Sequence, residues 1–229
     1  MSLILSIETS AKICSVAIHN RGLLVATKEI HIEHSHASQL AVFIDEVIRE
    51  SRMDAKQMTA VAVSAGPGSY TGLRIGTSTA KGLCYALDVP LIAVGSLELL
   101  AYQMNAQNVS RSYLCPMIDA RRMEVYCEVF DPYLNVTQPI EAKVIDSTSF
   151  AELLDRHKII FFGDGSDKCR DQITHPNATF VSGIYAAASE MGGLVYGKFE
   201  KRQFENRQEF EPRYLKEFMI RKPAEKAVN

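Results

Sequence analysis

The sequence has no C-x-x-C pair, no apolar run of membrane-spanning length and no surplus of charge of one sign. Its five cysteines (Cys14, Cys84, Cys115, Cys127, Cys169) are an odd, scattered set. That pattern argues against a disulfide framework and for reduced thiols. Without a long apolar run, no membrane-spanning helix is expected. The opening residues enter an alternating apolar stretch with neither a basic region nor a small-residue cleavage motif, so a soluble, cytoplasmic chain is expected. Twenty-five Lys and Arg against 27 Asp and Glu leave a formal net charge of -2. Stand-alone nucleic-acid binding needs a concentrated basic face, which this balance does not suggest. An RNA contact inside a larger assembly is compatible with it.

Catalytic signatures are missing too. There is no Gly-x-Ser-x-Gly elbow and no cysteine-protease signature, so no hydrolytic triad is expected. His31, His34 and His36 in "HIEHSHASQL" lack the H-x-x-x-H or H-E-x-x-H spacing that puts two rings on one helix face, so no metal pair is expected. No catalytic residue and no metal ligand is assigned.

What is present is an ordinary globular composition, 47% apolar and 23% charged over 229 residues. Leu3–Thr9, Cys14–Ile18 and Leu23–Ile30 read as strands, with a turn at Asn20-Arg21-Gly22. A helix beginning near Ser35 carries Leu40, Phe43, Ile44, Val47 and Ile48 on one face. Ala60–Ala65 reads as a buried strand, 73–87 as a helix and 91–94 as a strand, and Ser96 caps a helix through Met104. The plan then restarts. Tyr113–Asp119 and Glu124–Phe130 form a hairpin, 143–146 is extended, and 150–157 is helical. Ile159–Phe162 is a strand ending in Gly163-Asp164-Gly165, residues 180 and 181 are extended, and 184–200 is a long helix.

"LSIETSAKICSVAIHN" overlays "PMIDARRMEVYCEVFD" without a gap: Ile7 meets Ile118, Glu8 meets Asp119, Val16 meets Cys127 and Ile18 meets Val129. "VSAGPG" overlays "FFGDGS" more loosely. A duplicated α/β plan is therefore expected, with lobes at 1–105 and 106–201 and with 202–229 completing the first lobe.

Three groups carry candidate chemistry. Glu8 and Asp119, each ending an apolar strand, would hold a hydrated magnesium ion between nucleotide phosphates if the lobes face each other. Equally, each would cap its own turn. Gly66, Gly68, Gly72 and Gly76 in "SAGPGSYTGLRIG" fit neither G-x-G-x-x-G nor a G-K-[ST] ending. Such a loop at a helix start receives an anion, or it lets another backbone pack close. Ala37 and Ala41, beside Ser38, widen the face of the first helix toward a partner or toward the core. Arg121 and Arg122 sit at a hairpin turn, where a basic pair is usually only solvated.

The order "ILSIETS", "CSVAI", "EHSHASQL", "SAGPGSYTGLRIGTSTAKGL", "VGSLELL", "MIDARRMEVY" and a late "EPRYL" resembles the bacterial TsaB family, also called YeaZ. The resemblance implies an actin-like ATPase fold (ASKHA, ribonuclease H-like), duplicated into two lobes of mixed sheet with flanking helices. It implies a non-catalytic subunit for making threonylcarbamoyladenosine (t6A) beside the anticodon of tRNA. The subunit would form a heterodimer with a TsaD paralogue that carries H-x-x-x-H, joined by the small ATPase TsaE. ATP and metal would belong to those partners, with none bound tightly by this chain. The partner surface would hold Ser35, Ala37, Ser38, Ala41, Tyr70, Thr71, Arg74 and Gly76, and the glycine loop would serve packing. Small-residue helix faces are compatible with self-pairing when the chain is alone, which the sequence leaves open between homodimer and monomer, and no membrane contact is expected. Glu8 departs from the family, where Asp is common. The alternative is a stand-alone actin-like ATPase or phosphotransferase using Glu8 and Asp119 with magnesium, among Gly66, Gly68, Gly163 and Gly165.

Overall fold

The structure is a computed structural model. It describes residues 2–11, 13–31 and 36–216, and gives only the backbone at 31 and 36–38. The first half forms β1 (Leu3–Glu8), β2 (Ile13–Asn20), β3 (Leu23–His31), α1 (His36–Ser51), β4 (Ala60–Ser64), α2 (Tyr70–Leu87), β5 (Leu91–Val94) and α3 (Ser96–Asn105). The second half forms β6 (Tyr113–Asp119), β7 (Glu124–Phe130), β8 (Val136–Val144), α4 (Ala151–Leu154), β9 (Ile159–Phe162), β10 (Ala178–Val181) and α5 (Gly192–Glu200). The sheets run β3-β2-β1-β4-β5 and β8-β7-β6-β9-β10. Each begins as an antiparallel meander and grows by parallel strands on the far side of its first strand. The same plan thus occurs twice.

Three cores hold these layers. Leu5, Ile7, Val16 and Val63 pack under Leu40, Val47 and Ala80 of α1 and α2. Cys115, Met117, Cys127 and Phe161 form the outer core of the second sheet with Leu154. Between the sheets, Ile4, Ala62 and Ile92 meet Leu114, Ile118 and Phe162 around Leu97, Leu100 and Met104 of α3. β1 and β4 are buried on both faces, which explains their unbroken apolar sequences.

The gapless overlay of the two hairpins needs a correction of one residue. Ile7 pairs with Val16 and Glu8 with Ser15, whereas Met117 pairs with Cys127 and Ile118 with Tyr126. With Val16 equated to Cys127, Ile7 therefore equates to Met117 and Glu8 to Ile118. The faces agree: Ile7 and Met117 point into outer cores, while Ile118 lies between the sheets. Asp119 stands where the first lobe has Thr9. The second overlay shifts as well. Ile4 pairs with Ala60 and Leu114 with Ile160, so Gly163 and Gly165 stand level with Val63 and Ala65 rather than with Gly66 and Gly68.

Some boundaries also differ from the sequence reading. β8 is far longer than the extended piece expected at 143–146. It is an edge strand with Pro139 and many half-exposed polar residues, so its apolar signal is weak. α2 begins at Tyr70 because the Ser69 hydroxyl accepts the Gly72 N–H at 3.2 Å. α3 is capped at Gly95, not Ser96, and Glu98 Oε2 takes the Gly95 N–H at 3.2 Å. α4 covers only part of 150–157. The long helix at 184–200 is instead a single 3-10 turn, Ala188–Met191, followed by α5. The first sheet holds that turn by side chains. Ser15 Oγ accepts the Ala188 N–H at 2.8 Å, and His19 Nε2 lies 3.1 Å from the Ser189 carbonyl. The following α5 packs on β5, β1 and β3.

Candidate functional site

The glycine loop meets the turn between β1 and β2. Ser69 N–H donates to the Ser10 carbonyl at 2.6 Å, and Thr9 Oγ1 donates to the Gly72 carbonyl at 2.8 Å. A Cβ at Gly68, Gly72 or Gly76 would lie 2.1, 2.0 and 2.2 Å from Ser10 O, Thr9 O and Thr9 Oγ1. Only glycine permits so close an approach. Gly66 abuts the Arg213 carbonyl, 2.9 Å from where its Cβ would be, and Arg213 N–H donates to Ala65 O at 2.7 Å. These glycines are accounted for by packing within the chain. Gly76 is buried against Thr9 and Val63, so it presents nothing to a partner and leaves the expected surface.

Glu8 is fully buried. Its Oε1 accepts the Ser10 N–H at 2.5 Å, and its Oε2 makes no hydrogen bond of good geometry among the described residues. Burial pushes the Glu8 carboxyl up, opposed by the Ser10 and Ser64 side chains and by the Ser10 and Thr9 N–H groups. Asp119 is half-exposed, pairs with Lys168 and accepts the Arg121 N–H at 2.8 Å. Each acid thus holds the N–H two residues on, as a turn cap does. The corrected equivalence is visible here too. Thr9 N–H donates to Ser64 Oγ at 3.4 Å, and at the matching place Asp119 N–H donates to Asp164 Oδ1 at 3.1 Å. A hydrated magnesium ion needs several accessible oxygens. One carboxyl sealed in the core and another paired with a lysine do not fit it. Among the described residues no cluster of three or more His, Cys, Asp or Glu has metal-binding geometry. Gly163 and Gly165 pack on the end of β6, where their Cβ atoms would fall 2.4 Å from Met117 O and 2.8 Å from the Ile118 carbonyl carbon.

A cavity of about 730 Å³ opens beyond the ends of β4 and β5, beside β7 and β8. Glu98, Glu128, Glu205, Glu209 and Glu211 line it against only Lys198 and Arg213. Glu98 is neutralised by Lys198 at 3.1 Å. Burial pushes the Glu128 carboxyl up, opposed by nearby Arg213. A cleft of this sign disfavours a nucleotide triphosphate.

The other notable surface is the exposed side of α1 and α2, which pack side by side. α1 exposes Ala41, Val42, Asp45 and Arg49; α2 exposes Thr71, Arg74, Ser78, Gly82 and Tyr85 at three- and four-residue spacing. Val42 is 47% exposed and Tyr85 86%. Ser35 lies outside the described residues, as do the side chains of Ala37 and Ser38. Tyr70 is half-buried: its ring lies 4.9 Å from that of Tyr214, and its hydroxyl accepts from Arg74 Nη1 at 2.9 Å. The sequence reading missed Ser78 and Tyr85. Their place in the 71-74-78-82-85 stripe was the signal available.

The expectation that 202–229 completes the first lobe falls partly on 217–229, outside the described residues; the described part is a strap whose crossing to the second lobe the sequence did not suggest. Residues 205–216 run across both lobes. Glu205 N–H donates to Leu91 O at 2.9 Å, Lys81 reaches Gln208 O at 3.1 Å, and Arg207 reaches Cys84 O at 2.9 Å. Beyond Arg213, Lys216 pairs with Glu124 of the second lobe.

Comparison with known proteins agrees with this geometry. Residues 29–226 match the family model of TsaD, tRNA N6-adenosine threonylcarbamoyltransferase. The tRNA threonylcarbamoyladenosine biosynthesis protein TsaB of Haemophilus influenzae is 31% identical over 192 residues, which cover 82% of this chain and 74% of that protein. The chain belongs to the TsaB family. A TsaB of Bacillus subtilis is 32% identical over 127 residues, a match spanning 56% of this chain and 54% of the relative. YeaZ from Pseudomonas aeruginosa has the same fold, with a TM-score of 0.82 at 24% identity over 94% of this chain and 100% of that one. The TsaB family thus takes the duplicated, actin-like architecture seen in the two five-stranded sheets. Among the described residues no helix is long and apolar enough to cross a membrane.

Proposed function

We propose that the chain is a non-catalytic platform in the biosynthesis of threonylcarbamoyladenosine in tRNA. The match to TsaB proteins over 82% of its length carries the reading. Its partner is a TsaD-like paralogue, which performs the transfer, and a TsaE-like ATPase completes the assembly in the cytoplasm. ATP and metal belong to those subunits, and tRNA reaches this chain through the complex. The buried Glu8, the lysine-paired Asp119, the occupied glycine loop and the acidic cavity support a role without nucleotide turnover. Ala41, Val42, Thr71, Arg74, Ser78, Gly82 and Tyr85 offer the docking face, small at its centre and aromatic at one end. The same face would pair two copies when the chain is alone.

The test is light scattering of the purified chain mixed with the TsaD-like paralogue of its own organism, with and without nucleotide. A one-to-one complex is expected. If none forms under any nucleotide condition, the platform reading falls. Calorimetry with ATP would then examine a stand-alone ATPase built on Glu8 and Asp119.

A further inference from the structure

The hairpin joining β6 to β7 spends its acidic groups internally and leaves its arginines outside. Lys168 takes Asp119 and also donates to Glu124 O at 2.7 Å. Lys216 takes the Glu124 carboxylate and lies 5.9 Å from the centre of the Tyr126 ring. Asp164 Oδ1 receives the Asp119 N–H. Arg121 and Arg122 are exposed, and neither guanidinium has an ion pair or hydrogen bond among the described residues. Both have positive φ, 71° and 51°. Hairpin turns ordinarily put Gly or Asn at such positions, because a side chain there is strained. Arginine takes this conformation at several other turns of the chain, so what sets this pair apart is two adjacent exposed guanidiniums at one hairpin tip whose neighbouring acids, Asp119 and Glu124, already hold lysines.

We propose that Arg121 and Arg122 form a fork for the phosphate backbone of RNA, with Lys168 and Lys216 holding the hairpin from behind. Planar guanidiniums suit phosphate oxygens, and the absence of base-reading groups makes the contact sequence-independent. On a chain of net charge -2, two phosphate contacts give weak binding by themselves, which the other subunits would reinforce, and in that respect the fork rests on the reading above.

The double variant Arg121→Asn with Arg122→Gly tests it. This change suits the turn, so thermal unfolding of the chain should be unchanged or shifted upward. A labelled anticodon stem-loop RNA is titrated by fluorescence anisotropy with the chain alone and with the chain plus its TsaD-like paralogue, over a salt series. The variant should bind roughly tenfold more weakly, and the slope of log affinity against log salt should fall by about 2, one per lost phosphate contact. Equal affinity and equal slope for variant and wild type, or no RNA binding by either preparation, overturns the fork. If the wild-type chain forms no complex, the platform reading fails on its own, and titration of the chain alone decides the fork.

Discussion

Replacing Gly72 with alanine sets two rules against each other. Gly72 lies inside α2, where alanine is the better helix former by about 1 kcal/mol. Local propensity alone would therefore raise stability. The tertiary structure says the opposite. The new Cβ would stand 2.0 Å from the Thr9 carbonyl oxygen, a backbone atom that cannot step aside cheaply. Relief must separate α2 from the β1–β2 turn, which also strains the buried 2.8 Å bond from Thr9 Oγ1 to the Gly72 carbonyl. Overpacking of this kind costs about 1–3 kcal/mol, and the weakened buried bond about 1 kcal/mol more. Set against the propensity gain, Gly72→Ala should lose roughly 1–3 kcal/mol. Gly82→Ala is the control, since nothing lies within 4 Å of its would-be Cβ. It should gain up to about 1 kcal/mol. Urea unfolding followed by circular dichroism reads both. A Gly72→Ala midpoint at or above that of the wild type would refute the close-packing account of the loop.

Other outcomes follow from the same structure. His19 is buried with Nδ1 3.3 Å from Ser6 Oγ and Nε2 on the Ser189 carbonyl, and burial lowers its pKa. The unfolded chain therefore takes up the proton first, so stability is full above the ordinary histidine range and declines as pH falls below about 6.5. Urea midpoints between pH 8 and 5 should show this decline, and His19→Gln should flatten it. All five cysteines are buried, with the thiols of Cys14, Cys84 and Cys169 pushed up to about 11 by burial. The folded protein should resist maleimide at neutral pH and react fully in denaturant; rapid labelling of the native state would contradict the core assignment. Ala41→Arg and Gly82→Arg lie on the exposed helix face, so each should stay within about 0.5 kcal/mol of wild-type stability. Both should abolish the one-to-one complex expected in light scattering, and an undiminished complex would place the docking face elsewhere.

The apolar strands and amphipathic helices that bury most of the chain were legible in the sequence. Leu40, Ile44 and Val47 declare one face of α1, and "AVAVS" declares a buried strand. The family motifs were legible as well, because they are contiguous. The register of the duplication was not. β1 is buried at every position, so it lacks the alternation that pins a strand's phase, and a one-residue slip left no mark in the pattern. That slip made Glu8 and Asp119 look like twins, although one is sealed in the core and the other faces Lys168. The full length of β8 and the strap's crossing to the second lobe were not legible for a related reason: both rest largely on backbone groups and long polar side chains, without an apolar period. The sequence by itself determined that four glycines crowd the loop at the start of α2. Only the tertiary structure decided that Thr9, Ser10 and Arg213 fill the space they leave, because a missing Cβ permits close approach without specifying which backbone comes close.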